Sequence, residues 1–446
     1  MGDFIMSNIN IDFNKKAGKI KVMHAVNNGP HVTRGDQMRG NQDYYRAARI
    51  PYARTHDAAF HAQYGGEHSV DIQAIFPNFD ADVNDPQSYD FACTDKYISE
   101  IYEFGTKPFY RLGSKIEHYV KKFGTFPPKD YTKWAQICEH IIAHYTEGWA
   151  DGFKYDLEYW EIWNEPDLDP DNSPNKRCWQ GTESQFAEFY TVASTYLKNR
   201  FPHLKIGGPA LAWNEDWLER FFERTKDAHP PMDFLSWHWY GVEPKEMSKK
   251  GTRIANIAKK YGYGDAESIL NEWNYVRGWG DEFIYSIETM IGMKGAAFTA
   301  SCMSEAQKNP NIDMLMYYDA RPCAMNGMFD FYTMRPLKGY YPFLIYSNIY
   351  ELKNQVKAKI DDTEIYAVCS KNDEYARMMV TYYSENDNAS PKFVTINTMG
   401  ADFSNAKIFV TDVNQTMAEN LINKFKDGKI TLRLERNSIV YIEGKI

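Results

Sequence analysis

Trp160-Glu161-Ile162-Trp163-Asn164-Glu165-Pro166 is the stretch whose reading decides the fold. Residues 157–163 read as a short strand that runs out into an amide and a carboxylate. Pro166 cannot donate to a sheet ladder, so the strand stops at the acid. Period-two alternation puts Glu161 and Glu165 on one face, with Glu165 at the exit and Glu161 further back in the interior.

On either side of that stretch, strand-like and helix-like segments alternate for about 350 residues. The other strand candidates are 20–26, 50–56, 106–112, 205–209, 233–240, 268–273 and 311–319. Between the third and fourth strands, Trp134, Ile137, Ile141, Tyr145 and Trp149 mark one buried helix face. Phe186, Phe189, Tyr190, Ala193 and Leu197 mark another after the fourth. Eight such units predict a closed (β/α)8 TIM barrel over residues 21–350. An open doubly wound sheet would carry a Gly-rich phosphate turn, and Gly207-Gly208-Pro209 lacks the third glycine. From 351 to 446 short alternating runs at 364–368, 376–383, 392–396, 407–410 and 438–443 predict an antiparallel β-sandwich accessory domain. Residues 1–20 are expected to add a strand to it.

The 446 residues carry a formal net charge of −9, which argues against a nucleic-acid partner. The one basic cluster, Lys245, Lys249, Lys250 and Arg253, reads as the solvated side of a helix. Six scattered cysteines without a CxxC pair suit reduced thiols. Met1 to Phe13 lacks a basic start followed by an apolar run, and no 18-residue apolar stretch occurs, so a cytoplasmic protein without membrane contact is expected. The sandwich leaves room for a homo-oligomer. Aromatic residues make up 15%, with 11 Trp and 32 Tyr, a composition that suits stacking on sugar rings.

The chemistry rests on a second strand end, Ser268-Ile269-Leu270-Asn271-Glu272-Trp273-Asn274. In a closed barrel the fourth and seventh strands face each other across the mouth, so Glu165 and Glu272 converge on one pocket. Two carboxyl groups flanking one sugar ring are what glycosidic cleavage needs: one protonates the leaving oxygen, and the other attacks or stabilises the anomeric carbon.

Trp163-Asn164-Glu165-Pro166 followed by Glu272 (272 − 165 = 107 positions on) resembles clan A of the retaining glycoside hydrolases. Asn27-Asn28-Gly29-Pro30, Arg54-Thr55-His56-Asp57 and Ser236-Trp237-His238-Trp239-Tyr240-Gly241 resemble glycoside hydrolase family 39 within it, the β-xylosidase and α-L-iduronidase group. The resemblance implies Glu165 as acid/base and Glu272 as nucleophile. It implies that Asn164 holds the sugar 2-hydroxyl and that His238 and Tyr240 support the nucleophile side. A pocket walled by Trp160 and Trp163 would keep the acid protonated by desolvation. His56, Trp163 and Trp273 are further candidate substrate contacts, Trp279 a candidate platform, and Arg54 and Asp57 supporting residues.

The chain departs from the family's xylosidases after the eighth strand. Met316-Tyr317-Tyr318-Asp319-Ala320-Arg321 lacks the expected acidic pair, leaving Asp319 as a single candidate contact. The expected activity is an exo-acting retaining glycosidase on a β-xyloside or related small oligosaccharide; α-L-arabinoside, β-glucoside and β-galactoside stay open. Neither metal nor cofactor is expected. Cys138, His140 and His144 read as structural, and the Asp167, Asp169, Asp171, Asn172 loop lacks the glycine and closing glutamate of a calcium loop. Two rival classes are weighed. A sugar-binding protein without activity would have lost a carboxylate, and a metal-dependent hydrolase would need ligands such as an HxH pair on the first strand.

Overall fold

The computed structural model describes residues 6–34, 39–56, 68–323 and 325–446. After β1 (Met6–Lys19) come eight strands: β2 (Val22–Asn27), β3 (Tyr52–Arg54), β4 (Lys107–Leu112), β5 (Tyr159–Ile162), β6 (Lys205–Leu211), β7 (Phe234–Gly241), β8 (Glu267–Tyr275) and β9 (Met314–Tyr317). They pair in parallel and in order, and β9 closes on β2. Helices cover the outside, as they must where both faces of a parallel sheet are buried. Three of the longer ones start on side-chain caps. Thr182 and Gln185 form a reciprocal capping box on Glu183–Arg200, and Asp130 caps Tyr131–Thr146. Among the described residues no helix is long and apolar enough to cross a membrane.

The barrel interior is layered, and the layering positions the site. Ala25, Phe109, Tyr159, Phe234, Ile269, Met314 and Met316 form an apolar cluster of their own. Beyond it a polar storey of Asn27, Arg54, Glu161 and Asn271 is fully buried. Buried charges persist only when paired and hydrogen-bonded, and here each is.

The second unit is one nine-stranded curled sheet. Its remaining strands are β10 (Asn354–Ile360), β11 (Ile365–Lys371), β12 (Tyr375–Tyr382), β13 (Lys392–Met399), β14 (Asp402–Thr411), β15 (Ala418–Glu419), β16 (Lys429–Leu434) and β17 (Ser438–Lys445). The N-terminal strand joins it: β1 lies between β10 and β13, antiparallel to the first and parallel to the second. That parallel pair is the one exception to the expected antiparallel pattern, possible because β1 arrives from far away in sequence rather than through a hairpin. Ile9, Ile11 and Phe13 project from β1 into this unit's core. Helix Met293–Lys308, buried along most of its length, packs on the other side of β11, β12 and β17.

The segment expected as a structural His/Cys cluster is structural. His144 stacks on Phe91 at 3.6 Å and bonds Asp95 and the Trp149 carbonyl, while Cys138 is fully buried. The basic cluster needs a correction. Lys249 and Arg253 pair with Glu246 and Glu215 at the surface, but Lys250 is only 7% exposed, because helix Pro244–Lys260 turns that side toward the barrel mouth.

Candidate active site

Two local breaks in strand geometry build the site. In β5 Tyr159 and Glu161 point inward and Trp160 and Ile162 outward. The backbone then turns left-handed at Trp163 (φ 73°) and again at Glu165 (φ 49°), so Glu165 does not reach the mouth by simple alternation. The turn drives Trp163 outward onto Trp134, Trp179 and Phe189, with its indole N–H on the Cys178 carbonyl at 2.9 Å. Gly113 must be a glycine here, since its φ is 140° and a Cβ would lie 3.0 Å from the Trp163 ring. In β8 the register against β7 slips by one residue between Leu270 and Glu272. This β-bulge lets the consecutive residues Asn271 and Glu272 both face inward.

Arg54 is the hub. It is fully buried and donates to Glu161 (2.7 Å), Asn27 (3.2 Å), Asn164 (2.7 Å) and Glu272 (2.7 Å). Asn271 completes the Glu161 carboxylate at 2.5 Å. Coulombic attraction from Glu161 and Glu272 outweighs burial and raises the Arg54 pKa. Removing one partner of such a buried pair typically costs about 3–5 kcal/mol. The second Glu272 oxygen accepts from Tyr240 at 2.9 Å. Burial, helped by the Glu272 charge, raises the Tyr240 pKa, so the phenol stays a donor.

His238 lies between the carboxylates, and its position corrects the expectation that it serves the Glu272 side. Its Nδ1 is 2.7 Å from Glu165 and 3.5 Å from Glu272. Burial lowers its pKa to about 4, so the ring is neutral at ordinary pH. Its Nε2 is buried without a hydrogen-bond partner among the described residues. An orphaned lone pair is tolerated better than an orphaned N–H, so we assign the ring proton to Nδ1, donating to Glu165. The Cys178 thiol lies 3.9 Å from the other Glu165 oxygen, and burial raises its pKa and keeps it protonated. One ligand-capable atom from each of Glu165, His238 and Glu272 falls within 4.8 Å of the others.

These groups open on a cleft of about 840 Å³, a size that suits a small ligand. His56 lines it; its Nδ1 accepts from Arg111 at 3.2 Å, which leaves the ring proton on Nε2. Tyr240 and Trp279 also line it, and Trp279 meets Tyr240 edge-on at 5.2 Å.

Five expected contacts do not line the cleft: Asn164 and His238 are buried, held by Arg54 and beside Glu165 respectively, and the other three face elsewhere. Trp163 packs in the helix layer, as does Trp160, so neither walls the acid. Trp273 is fully buried against Phe298 and Tyr317, because the bulge resets the phase and sends it outward. Asp319 is fully buried too, accepting from the Arg321 backbone at 2.6 Å with the Cys323 thiol at 3.6 Å. Asp57 lies outside the described residues. The acidic loop is committed elsewhere: Asp167 accepts three backbone N–H bonds from Ala212, Trp213 and Asn214, and Asp169 grips Arg177. Sequence reasoning missed Trp213, Trp239, Tyr318, Lys250 and Arg177, which line the cleft. Trp213 lies just past the end of β6, the same strand-end signal that marks the two glutamates.

The sequence profile of glycosyl hydrolases family 39 matches residues 9–273. The chain belongs to this family. A β-xylosidase from Caldicellulosiruptor saccharolyticus is 30% identical over 168 residues, 35% of this chain and 32% of that one. One from Geobacillus stearothermophilus is 27% identical over 167 residues, 34% and 31% of the respective chains. The match thus spans about a third of the length of these curated relatives. A solved glucosidase from Croceicoccus marinus shares the fold along the whole length, with a TM-score of 0.79 at 20% identity, covering 99% of each chain.

Proposed function

We propose that this family 39 member is a retaining β-xylosidase acting on the end of a small oligosaccharide, with Glu165 as acid/base and Glu272 as nucleophile. The observation that supports the reading is that one carboxylate oxygen of Glu165 lies within 4.8 Å of one of Glu272, so the two groups face one another closely enough to flank a single anomeric carbon. Retaining pairs lie about 5–5.5 Å apart, whereas inverting pairs leave about 6.5–9.5 Å for a water. Glu272 has the environment of a nucleophile: a guanidinium and a phenol donate to it, matching its ionised form. Glu165 meets the neutral His238 ring and the Cys178 thiol, surroundings suited to a proton donor.

In the first step Glu165 gives its proton to the glycosidic oxygen while Glu272 attacks the anomeric carbon, and the leaving group departs as an alcohol. With His238 donating to Oε1, the transferable proton sits on Oε2. In the second step Glu165, now a carboxylate, takes a proton from water as that water attacks the anomeric carbon and frees Glu272. Asn164, its Oδ1 held by Arg54, is left with its amide N–H2 for the sugar 2-hydroxyl. Chemistry of this kind draws on the two carboxyl groups alone.

The glycone is assigned from the two β-xylosidase relatives. A β-glucosidase is the second reading, favoured by the whole-length likeness to a glucosidase and by Asp319 being buried away from the sugar. The test is a panel of aryl β-xyloside, α-L-arabinoside, β-glucoside and β-galactoside with wild type and Glu272→Ala, together with proton NMR of the first-formed anomer. Release from the xyloside with retained configuration, absent in the variant, is expected. An inverted first product, or near wild-type turnover in Glu272→Ala, would sink the mechanism.

A further inference from the structure

The rim of the cleft has two chemically different halves. Beside Glu272, the loops after β8 and β9 contribute Trp279, Phe283 and Tyr318, none of them charged. Beside Glu165, the loops after β5 and β6 and the helix after β7 contribute Arg177, Trp213 and Lys250. With Glu165 as the acid, the leaving group departs on this second, cationic half; the inference rests on that part of the proposed function.

Two independent features of this half point to a ligand. Trp213 is 58% exposed, yet its backbone is fixed, with its N–H on Asp167 at 2.9 Å. A held aromatic face open to a cleft is a stacking surface for the apolar face of a sugar. Lys250 is the opposite case, 93% buried (100 − 7) but lining the same cleft. Its ammonium gives one N–H to the Trp213 carbonyl at 3.3 Å. An ammonium has three donors, and the other two have no acceptor among the described residues. Nor does Lys250 form an ion pair there. The acids that act on it, Asp167 and Glu215, are already engaged: Asp167 by three backbone N–H groups and Glu215 by Arg253. A buried cation with unspent donors is costly unless something else supplies the negative partner.

We infer that Trp213 and Lys250 form the leaving-group subsite, and that this subsite takes a sugar bearing a carboxylate, a uronic acid. The ring stacks on Trp213 and the carboxylate accepts from the Lys250 ammonium. A neutral hydroxyl would satisfy a donor but not the charge, which is why an anion is the matched ligand. Arg177 on the same rim is already paired with Asp169 at 2.7 Å, so Lys250 is the cation there without a partner carboxylate among the described residues.

The experiment titrates wild type, Lys250→Met and Lys250→Arg with methyl β-D-glucuronoside and methyl β-D-glucoside, which differ only at C6. Binding is read by tryptophan fluorescence, and melting curves verify that each variant is folded. Wild type is expected to bind the glucuronoside about tenfold tighter or more, the return of one charge-assisted hydrogen bond. Lys250→Met should equalise the two ligands and Lys250→Arg should keep the preference. Trp213→Phe should remove the fluorescence response and Trp279→Phe should retain it. Equal affinities in wild type would overturn the inference. So would a preference that survives in Lys250→Met, or a signal that follows Trp279 instead of Trp213. Binding needs no turnover, so the two readings fail separately. Preference without hydrolysis of any aryl glycoside would sink the glycosidase reading, and hydrolysis without preference would sink the subsite alone.

Discussion

Tyr240→Phe removes a single oxygen and tests whether Tyr240 acts on Glu272. The lost bond is 2.9 Å long, ends on a buried carboxylate, and leaves Arg54 on the other oxygen. Hydrogen bonds to charged groups contribute about 1.5–3 kcal/mol. Phenylalanine fills nearly the same space, so no cavity forms for a replacing water. The bond matters most where Glu272 carries full charge, which is the free enzyme. In the proposed mechanism, attack consumes that charge and breakdown of the glycosyl intermediate restores it. Loss of the donor should therefore slow the second step more than the first, by about 10- to 100-fold at 1.4 kcal/mol per factor of ten. With an activated aryl glycoside, kcat should fall by that factor and KM should fall with it, because the covalent intermediate accumulates. Intact-protein mass spectrometry on quenched reactions should show one added glycosyl unit, and peptide mapping should place it on Glu272. Unchanged kcat, or a fall in kcat with no accumulated adduct, would refute the reasoning.

Trp279→Ala should raise KM about tenfold by removing a stacking face of roughly 1–2 kcal/mol. Trp273→Leu should instead cost about 3 kcal/mol of stability, seen as a lower melting temperature, with KM unchanged, because that ring is fully buried. Glu385, on the second unit, bonds Arg277 at 2.9 Å and Tyr275 at 2.8 Å and so braces the loop that carries Trp279. Glu385→Gln should raise KM about fivefold, a partly exposed network being worth about 1 kcal/mol; an unchanged KM would show that the loop holds itself. Burial depresses His238 from 6.5 to about 4, so as pH falls below 6.5 the unfolded chain takes the proton first. Stability present above pH 6.5 should be lost progressively down to about pH 4, on the order of 3 kcal/mol from this residue. A melting temperature flat across that window would contradict the assignment.

Much of this protein is legible in the chain itself. Parallel strands buried on both faces carry apolar runs, and the points where those runs meet Glu165 and Glu272 mark the mouth of a barrel. Both signals are local, since burial is recorded residue by residue along each element.

The tertiary structure decided what local periodicity cannot hold. A left-handed residue at Trp163 and a one-residue bulge at Asn271 shift the phase of two strands, and each shift moves every later side chain to another face. Those shifts send Trp163 and Trp273 into the helix layer and bring Asn271 and Glu272 together inside. The cleft lining follows the same rule. Trp213 comes from the loop after β6 and Lys250 from the helix after β7, and they meet only because the barrel closes; Lys250 on its own helix is indistinguishable from its solvated neighbours Lys249 and Arg253. Whether His238 serves Glu165 or Glu272 depends on fractions of an ångström set by strands far apart in sequence. Composition and spacing determine which groups reach the mouth; only the packing of distant segments determines which of them touch.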